Sequence, residues 1–110
     1  MKKKFEIKIC GITNLACMMA AIDSEVDYIG LVFFDKSPRH VSFNNTKDLL
    51  KIRNNYSKIV ALTVDPDDIL LSQIMDFIKP DFIQLHGQET PERCKEIRNK
   101  FGISILILQL

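Results

Sequence analysis

The sequence predicts an α/β protein of parallel βα repeats, a partial (β/α)8 barrel of about five strands and four helices. Three observations predict it. Five short, near-continuous apolar segments recur along the chain, helix-period segments lie between them, and turn and capping residues fall at the joins. Strands apolar on both faces suit a parallel sheet covered by helices. Strand, helix and strand joined this closely make right-handed crossovers, so the strands should lie parallel in chain order.

The five segments are Phe5 to Cys10, Tyr28 to Phe34, Lys58 to Val64, Asp81 to His86 and Ile103 to Leu108. Their starts are 23, 30, 23 and 22 residues apart, a repeat of the βα unit rather than of the sequence. The longer second interval holds an extended loop from Asp35 to Asn45. Leu15, Met18, Met19 and Ile22 predict the inner face of the first helix, and Leu49, Leu50 and Ile52 begin that of the second. Ile69, Leu70, Ile74, Phe77 and Ile78 predict the third, and Cys94, Ile97 and Phe101 the fourth.

Punctuation supports the periodicity. Thr13 is able to cap the first helix, and Asp65-Pro66 and Thr90-Pro91 each set a capping residue before a proline suited to a first helical turn. Gly102 follows Phe101 where a helix end favours a left-handed residue. A Rossmann-type sheet would carry a glycine-rich turn after its first strand, whereas Cys10-Gly11-Ile12-Thr13 holds one glycine. This favours the barrel, although a full (β/α)8 barrel takes eight strands and at least ~200 residues.

The 110 residues, 46% of them apolar, are read as one partial-barrel domain, 1-110. A formal charge of +1, with Lys2-Lys3-Lys4 as the only basic run, argues against nucleic acid or an anionic membrane as the main partner. No apolar run approaches the ~20 residues of a membrane helix, and Glu6 and Lys8 interrupt any signal-peptide core, so the expected location is cytoplasmic. Cys10, Cys17 and Cys94 form an odd set without C-x-x-C spacing, which argues for reduced thiols rather than disulfides or a zinc knuckle.

The chemistry gathers at strand ends. Cys10 stands where the first strand passes towards a helix. There a thiol can ionise more readily and act as base or nucleophile, or it can serve as a small buried apolar residue. Cys17 and Cys94 fall within helices, as core or surface. The loop Asp35-Lys36-Ser37-Pro38-Arg39-His40 opens onto the same face as Cys10. Arg39 there can bind a carboxylate or phosphate through two parallel hydrogen bonds, or remain a solvated loop residue. In Gln84-Leu85-His86-Gly87, strand alternation sends Gln84 and His86 to one side, level with Cys10, either lining a pocket or bonded to each other. Asp65 reads better as a cap than as a catalytic acid.

Lys8-Ile9-Cys10-Gly11-Ile12-Thr13, Gly30-Leu31-Val32-Phe33 with Lys36-Ser37-Pro38-Arg39, and Gln84-Leu85-His86-Gly87 together resemble the phosphoribosylanthranilate isomerase family of tryptophan biosynthesis. The resemblance runs from about Phe5 to Gly102 and covers the front half of that family's TIM barrel. It implies an Amadori rearrangement of N-(5'-phosphoribosyl)anthranilate, a phosphorylated sugar-anthranilate, without cofactor or metal. Cys10 matches the family's general base, Arg39 the arginine that holds the anthranilate carboxylate, and Gln84 and His86 polar residues of the pocket.

The family's general acid is an aspartate on the sixth strand, and amides after the seventh and eighth strands hold the phosphate. Near its fifth strand the family shows lysine then alanine, where this chain reads Ile105-Leu106-Ile107-Leu108-Gln109-Leu110, mostly apolar residues expected to be exposed at an open strand edge. The expectation is an isomerase that needs its missing half, from a partner chain or a longer gene. The alternative is a non-catalytic half-barrel that pairs with itself or another protein. Cys10-Gly11-Ile12-Thr13 and Ser37-Pro38-Arg39 argue against a third reading, a ribulose-phosphate epimerase relative.

Overall fold

The computed structural model describes residues 5–107; Lys2, Lys3 and Lys4 and the stretch Leu108-Gln109-Leu110 lie outside the described residues. The elements alternate as β1 (Lys8–Cys10), α1 (Leu15–Asp23), β2 (Tyr28–Val32), α2 (Phe43–Leu50), β3 (Lys58–Thr63), α3 (Asp68–Phe77), β4 (Phe82–Leu85), α4 (Pro91–Phe101) and β5 (Ser104–Ile107). All pairings are parallel and the sheet order is β1-β2-β3-β4-β5, as expected for a barrel and unlike a doubly wound sheet. Among the described residues β1 and β5 do not pair with each other, so the sheet is open. No helix among them is long and apolar enough to cross a membrane.

The pairing register is continuous. Cys10 stands opposite Gly30, Gly30 opposite Val60, Val60 opposite Phe82, and Phe82 opposite Ser104. Because side chains alternate along a strand, even-numbered strand residues share the concave face, and odd-numbered residues of β1 to β4, with Ile105 of β5, face the helices. The odd set makes the core: Ile29, Leu31, Ile59, Ala61 and Ile83 are fully buried. Each larger aliphatic of that set contributes about 1.5–3 kcal/mol by leaving water. One cluster joins β1 to β3 with α1, α2 and Leu70 and Ile74 of α3, and a second joins Leu71, Ile83, Leu85, Ile97 and Ile103.

Several expected boundaries and faces differ from those observed. Phe5 and Ile7 are exposed and precede β1, which is three residues long. Met18, Ala21 and Ile22 form the inner face of α1, whereas Leu15 and Met19 are about half exposed. In α3 the buried residues are Leu71 and Ile74, while Ile69 and Phe77 point outward. Phe77 is nonetheless covered in part by Phe43, 5.9 Å between ring centroids, and by the Lys47 ammonium at 4.8 Å. α2 starts at Phe43, inside the stretch expected to be loop up to Asn45, and ends at Leu50 before Ile52: Ser42 caps it, and the buried Thr46 bonds back to the Ser42 carbonyl at 2.8 Å.

Two caps also move. Asn14, not Thr13, caps α1 by accepting from Cys17 N at 2.8 Å. Asp67, not Asp65, caps α3 by accepting from Leu70 N at 2.8 Å. Thr90, Pro91 and Gly102 stand where the sequence sets them, with Gly102 left-handed at φ 61°.

Asp68, in the first turn of α3, links that helix to α4. Lys100 Nζ lies 2.6 Å and Arg93 Nη2 2.7 Å from its two oxygens. The Lys100 hydrogen bond, then the Arg93 one, hold the carboxyl below its ordinary range. A depressed carboxylate stabilises the fold above its unfolded-chain value, and that contribution is lost as pH falls through the folded one. Asp68→Asn should therefore melt below the wild type near neutral pH, with the gap closing below the carboxylate range and shrinking in high salt. Thermal melts across pH and ionic strength check this.

Candidate active site

The concave face is floored by Tyr28 and Phe82, packed edge to face at 5.8 Å. The Tyr28 hydroxyl is hydrogen-bonded to Glu6, and that bond more than any other influence raises its pKa above the usual tyrosine value. Towards the C-terminal ends of the strands lies a cavity of about 540 Å³. It is walled by Val32, Phe34, Leu62 and Val64, and its polar lining is Lys8, Cys10, Ser37, Arg39, Gln84 and His86. No Asp or Glu is among these lining residues, so the cavity suits an anionic ligand with an apolar ring.

Cys10 closes β1. It is not at a helix N-terminus as its spacing suggested, because α1 begins only at Leu15 and the amides of Gly11 and Ile12 both donate to the Gly30 carbonyl, at 3.0 and 3.3 Å. Gly11 has φ +82°, a left-handed conformation that turns the chain sharply. Arg39 lies over it: a Cβ on Gly11 would stand 2.7 Å from Nη1 and 2.9 Å from Nε. Nη1 donates to the Cys10 carbonyl at 3.3 Å.

The loop carrying Arg39 is held at both ends. Ser37 N donates to the Phe34 carbonyl at 2.9 Å, Arg39 N donates to Ser37 Oγ at 3.2 Å, and Val41 N returns to the Val32 carbonyl at 3.0 Å. Ser37 thus anchors the loop through both its amide and its hydroxyl. His40 is exposed and lies outside this cavity.

Gln84 and His86 both line the cavity, yet they are not level with Cys10. Gln84 stands opposite Leu62, one row nearer the mouth than the row of Cys10, and His86 lies a further row on. Nor are they satisfied by each other: buried Gln84 Oε1 and His86 Nδ1 have no hydrogen-bond partner among the described residues. Buried polar atoms left unpaired cost about 1–3 kcal/mol each, which a bound ligand can recover.

Lys8, which its motif alone does not mark as a site residue, also lines the cavity. Its parity with Cys10 on the same strand was the signal that could have found it. Among the described residues, no group of three or more His, Cys, Asp and Glu could hold a metal ion.

Asp65 is neither the α3 cap nor part of the lining of this cavity. It adopts φ 43°, its amide donates to Glu89 Oε2 at 2.8 Å, and its Oδ1 accepts from Gln88 N at 3.0 Å. Glu89 Oε1 also accepts from Gly87 N at 2.9 Å, so one carboxylate clasps the loops after β3 and β4 directly behind His86. Gly87 leaves room for this clasp, since a Cβ would come 2.8 Å from the Asp65 carboxylate and displace it. Glu89→Ala should cost about 1–2 kcal/mol and speed amide exchange at Asp65 and Gly87. Hydrogen exchange read residue by residue checks it.

Comparisons with known proteins agree with the fold. The family model for N-(5'-phosphoribosyl)anthranilate (PRA) isomerase matches residues 7–109. The N-(5'-phosphoribosyl)anthranilate isomerase of Rhodopseudomonas palustris strain BisA53 is 42% identical over 101 residues, covering 92% of this chain and 46% of the relative. That of Bradyrhizobium diazoefficiens is 43% identical over 100 residues, covering 91% and 45%. The chain spans about half the length of the curated relatives it matches. The solved phosphoribosyl anthranilate isomerase of Thermotoga maritima superposes with a TM-score of 0.85 at 27% identity, over 93% of this chain and 49% of that one. A solved isomerase in complex with reduced 1-(o-carboxyphenylamino)-1-deoxyribulose 5-phosphate gives the same TM-score and identity over 93% and 52%. With nearly its whole length matched in sequence and in fold, this chain belongs to the N-(5'-phosphoribosyl)anthranilate isomerase family.

Proposed function

We propose that this chain supplies the base and the anthranilate side of the pocket for the isomerisation of N-(5'-phosphoribosyl)anthranilate to 1-(2-carboxyphenylamino)-1-deoxyribulose 5-phosphate, a step of tryptophan biosynthesis in the cytoplasm. The observation that carries this is one carboxylate-free cavity shared by Cys10, Arg39, Gln84 and His86. After the ribose ring opens, the Cys10 thiolate takes the proton from the sugar carbon beside the former anomeric centre, and the resulting enolamine becomes the ketone. Arg39 holds the anthranilate carboxylate at the mouth, and the apolar walls take its ring. Gln84 and His86 hydrogen-bond the open-chain sugar through their unpaired atoms. By the resemblance, the general acid and the phosphate cradle belong to strands six to eight, in the same or another chain.

The test is turnover of freshly made phosphoribosylanthranilate, followed by loss of anthranilate fluorescence, for this chain alone and with a back-half fragment of a family member added. Turnover restored or raised by the fragment supports the reading. No turnover in either mixture removes it.

A second reading is a half-barrel whose role is association. Phe5, Ile7, Leu15 and Met19 are all substantially exposed, and all belong to the β1–α1 unit at the open end of the sheet. Apolar surface beside an unpaired strand favours a second copy or a complementary βα partner. Sedimentation showing concentration-dependent association without turnover would select it.

A further inference from the structure

We propose that Gly30 is the positioning residue for the Cys10 thiol. The inference rests on the reading of Cys10 as the base. Gly30 is the β-sheet partner of Cys10 across the β1–β2 pair. It is not among the residues of positive φ, so backbone freedom does not account for a glycine in mid-strand, where glycine weakens pairing. Its neighbours on the concave face of the same strand, Tyr28 and Val32, both carry side chains.

What a side chain would meet there is the cysteine itself. A Cβ on Gly30 would stand 3.0 Å from Cys10 Sγ, 3.1 Å from its Cα and 3.4 Å from its Cβ. The sulfur leans into the gap that Gly30 leaves, beside the fully buried Val60 in the same row. A methyl in that gap would drive the sulfur towards the outer edge of β1, which has no strand beside it among the described residues. The Gly30 carbonyl meanwhile accepts from Gly11 N and Ile12 N, fixing the backbone that follows the thiol. Gly30 thus sets where the thiol stands and which way the chain leaves it.

The test is alkylation by iodoacetamide, mapped by mass spectrometry on wild-type chain and Gly30→Ala, with the exposed Cys17 as internal reference. The expected result is a rate at Cys10 that rises at least about threefold, because access controls thiol reactivity, while the Cys17 rate is unchanged. An unchanged Cys10 rate, or equal changes at both cysteines, overturns the proposal. A double-mutant cycle provides a second measurement should Gly30→Ala fold poorly. Gly30→Ala should lower the melting temperature more in the wild-type background than in Cys10→Ala, where no sulfur has to move. Equal losses in both backgrounds, or failure to fold in both, overturn it. Neither readout uses turnover, so failure of the isomerase reading and failure of this one are separable.

Discussion

Cys10→Ala should lower kcat for phosphoribosylanthranilate by about 10²–10⁴-fold while leaving KM nearly unchanged, in whichever assembly turns over. The argument is one of roles. Removing a general base takes away an interaction made only as the proton moves, whereas Arg39, Gln84 and His86 continue to line the cavity and to meet the ground state. Cys10→Ser keeps the size of the side chain but replaces the thiol with an alcohol, so it should behave like the alanine variant. Steady-state rates for the three proteins decide the matter. A kcat for Cys10→Ala within about threefold of wild type would move the base elsewhere and leave Cys10 as packing.

Gly11→Ala should weaken binding of the anthranilate carboxylate about as much as Arg39→Ala does, although residue 11 contacts no ligand in the proposed pose. At φ +82° a side chain costs about 1–2 kcal/mol of backbone strain. The added Cβ would also occupy the place where the Arg39 side chain crosses the chain, breaking the Nη1 bond to the Cys10 carbonyl. A charge-assisted hydrogen bond is worth about 1.5–3 kcal/mol, so KM should rise roughly 10- to 100-fold in both variants. Combining the two should add little, because they disable one interaction. An unchanged KM in Gly11→Ala beside a raised one in Arg39→Ala would show that the guanidinium finds its place without the glycine.

The parallel order of the strands was legible because Ile29 to Val32 and Ile59 to Leu62 carry no polar side chain on either face, which only a covered sheet tolerates. Cys10, Arg39, Gln84 and His86 were legible as one cavity because all stand at or beyond the C-terminal ends of strands. The start of α2 was not, because its first buried turn is made by Thr46, whose hydroxyl satisfies itself on the Ser42 carbonyl. Hydropathy does not register such a residue. In α3 the run Ile69-Leu70-Leu71 left the inner face ambiguous by one position, and tertiary packing chose Leu71. Two aspartates flank Pro66, and composition could not tell that Asp65 turns left-handed to meet Glu89 while Asp67 caps. Likewise, no periodicity could reveal the gap over Gly30, which is a matter of two strands in register.

The open, sequentially ordered sheet has an energetic consequence. Every strand hydrogen-bonds only to the strands before and after it, so the free energy of folding is distributed as a series of nearest-neighbour couplings, as in repeat proteins. The two core clusters divide that series at α3, with Leu70 and Ile74 in the first and Leu71 in the second. In such an array a lesion at either end removes one coupling and spares the others, whereas a lesion at α3 severs the chain into two cooperative blocks.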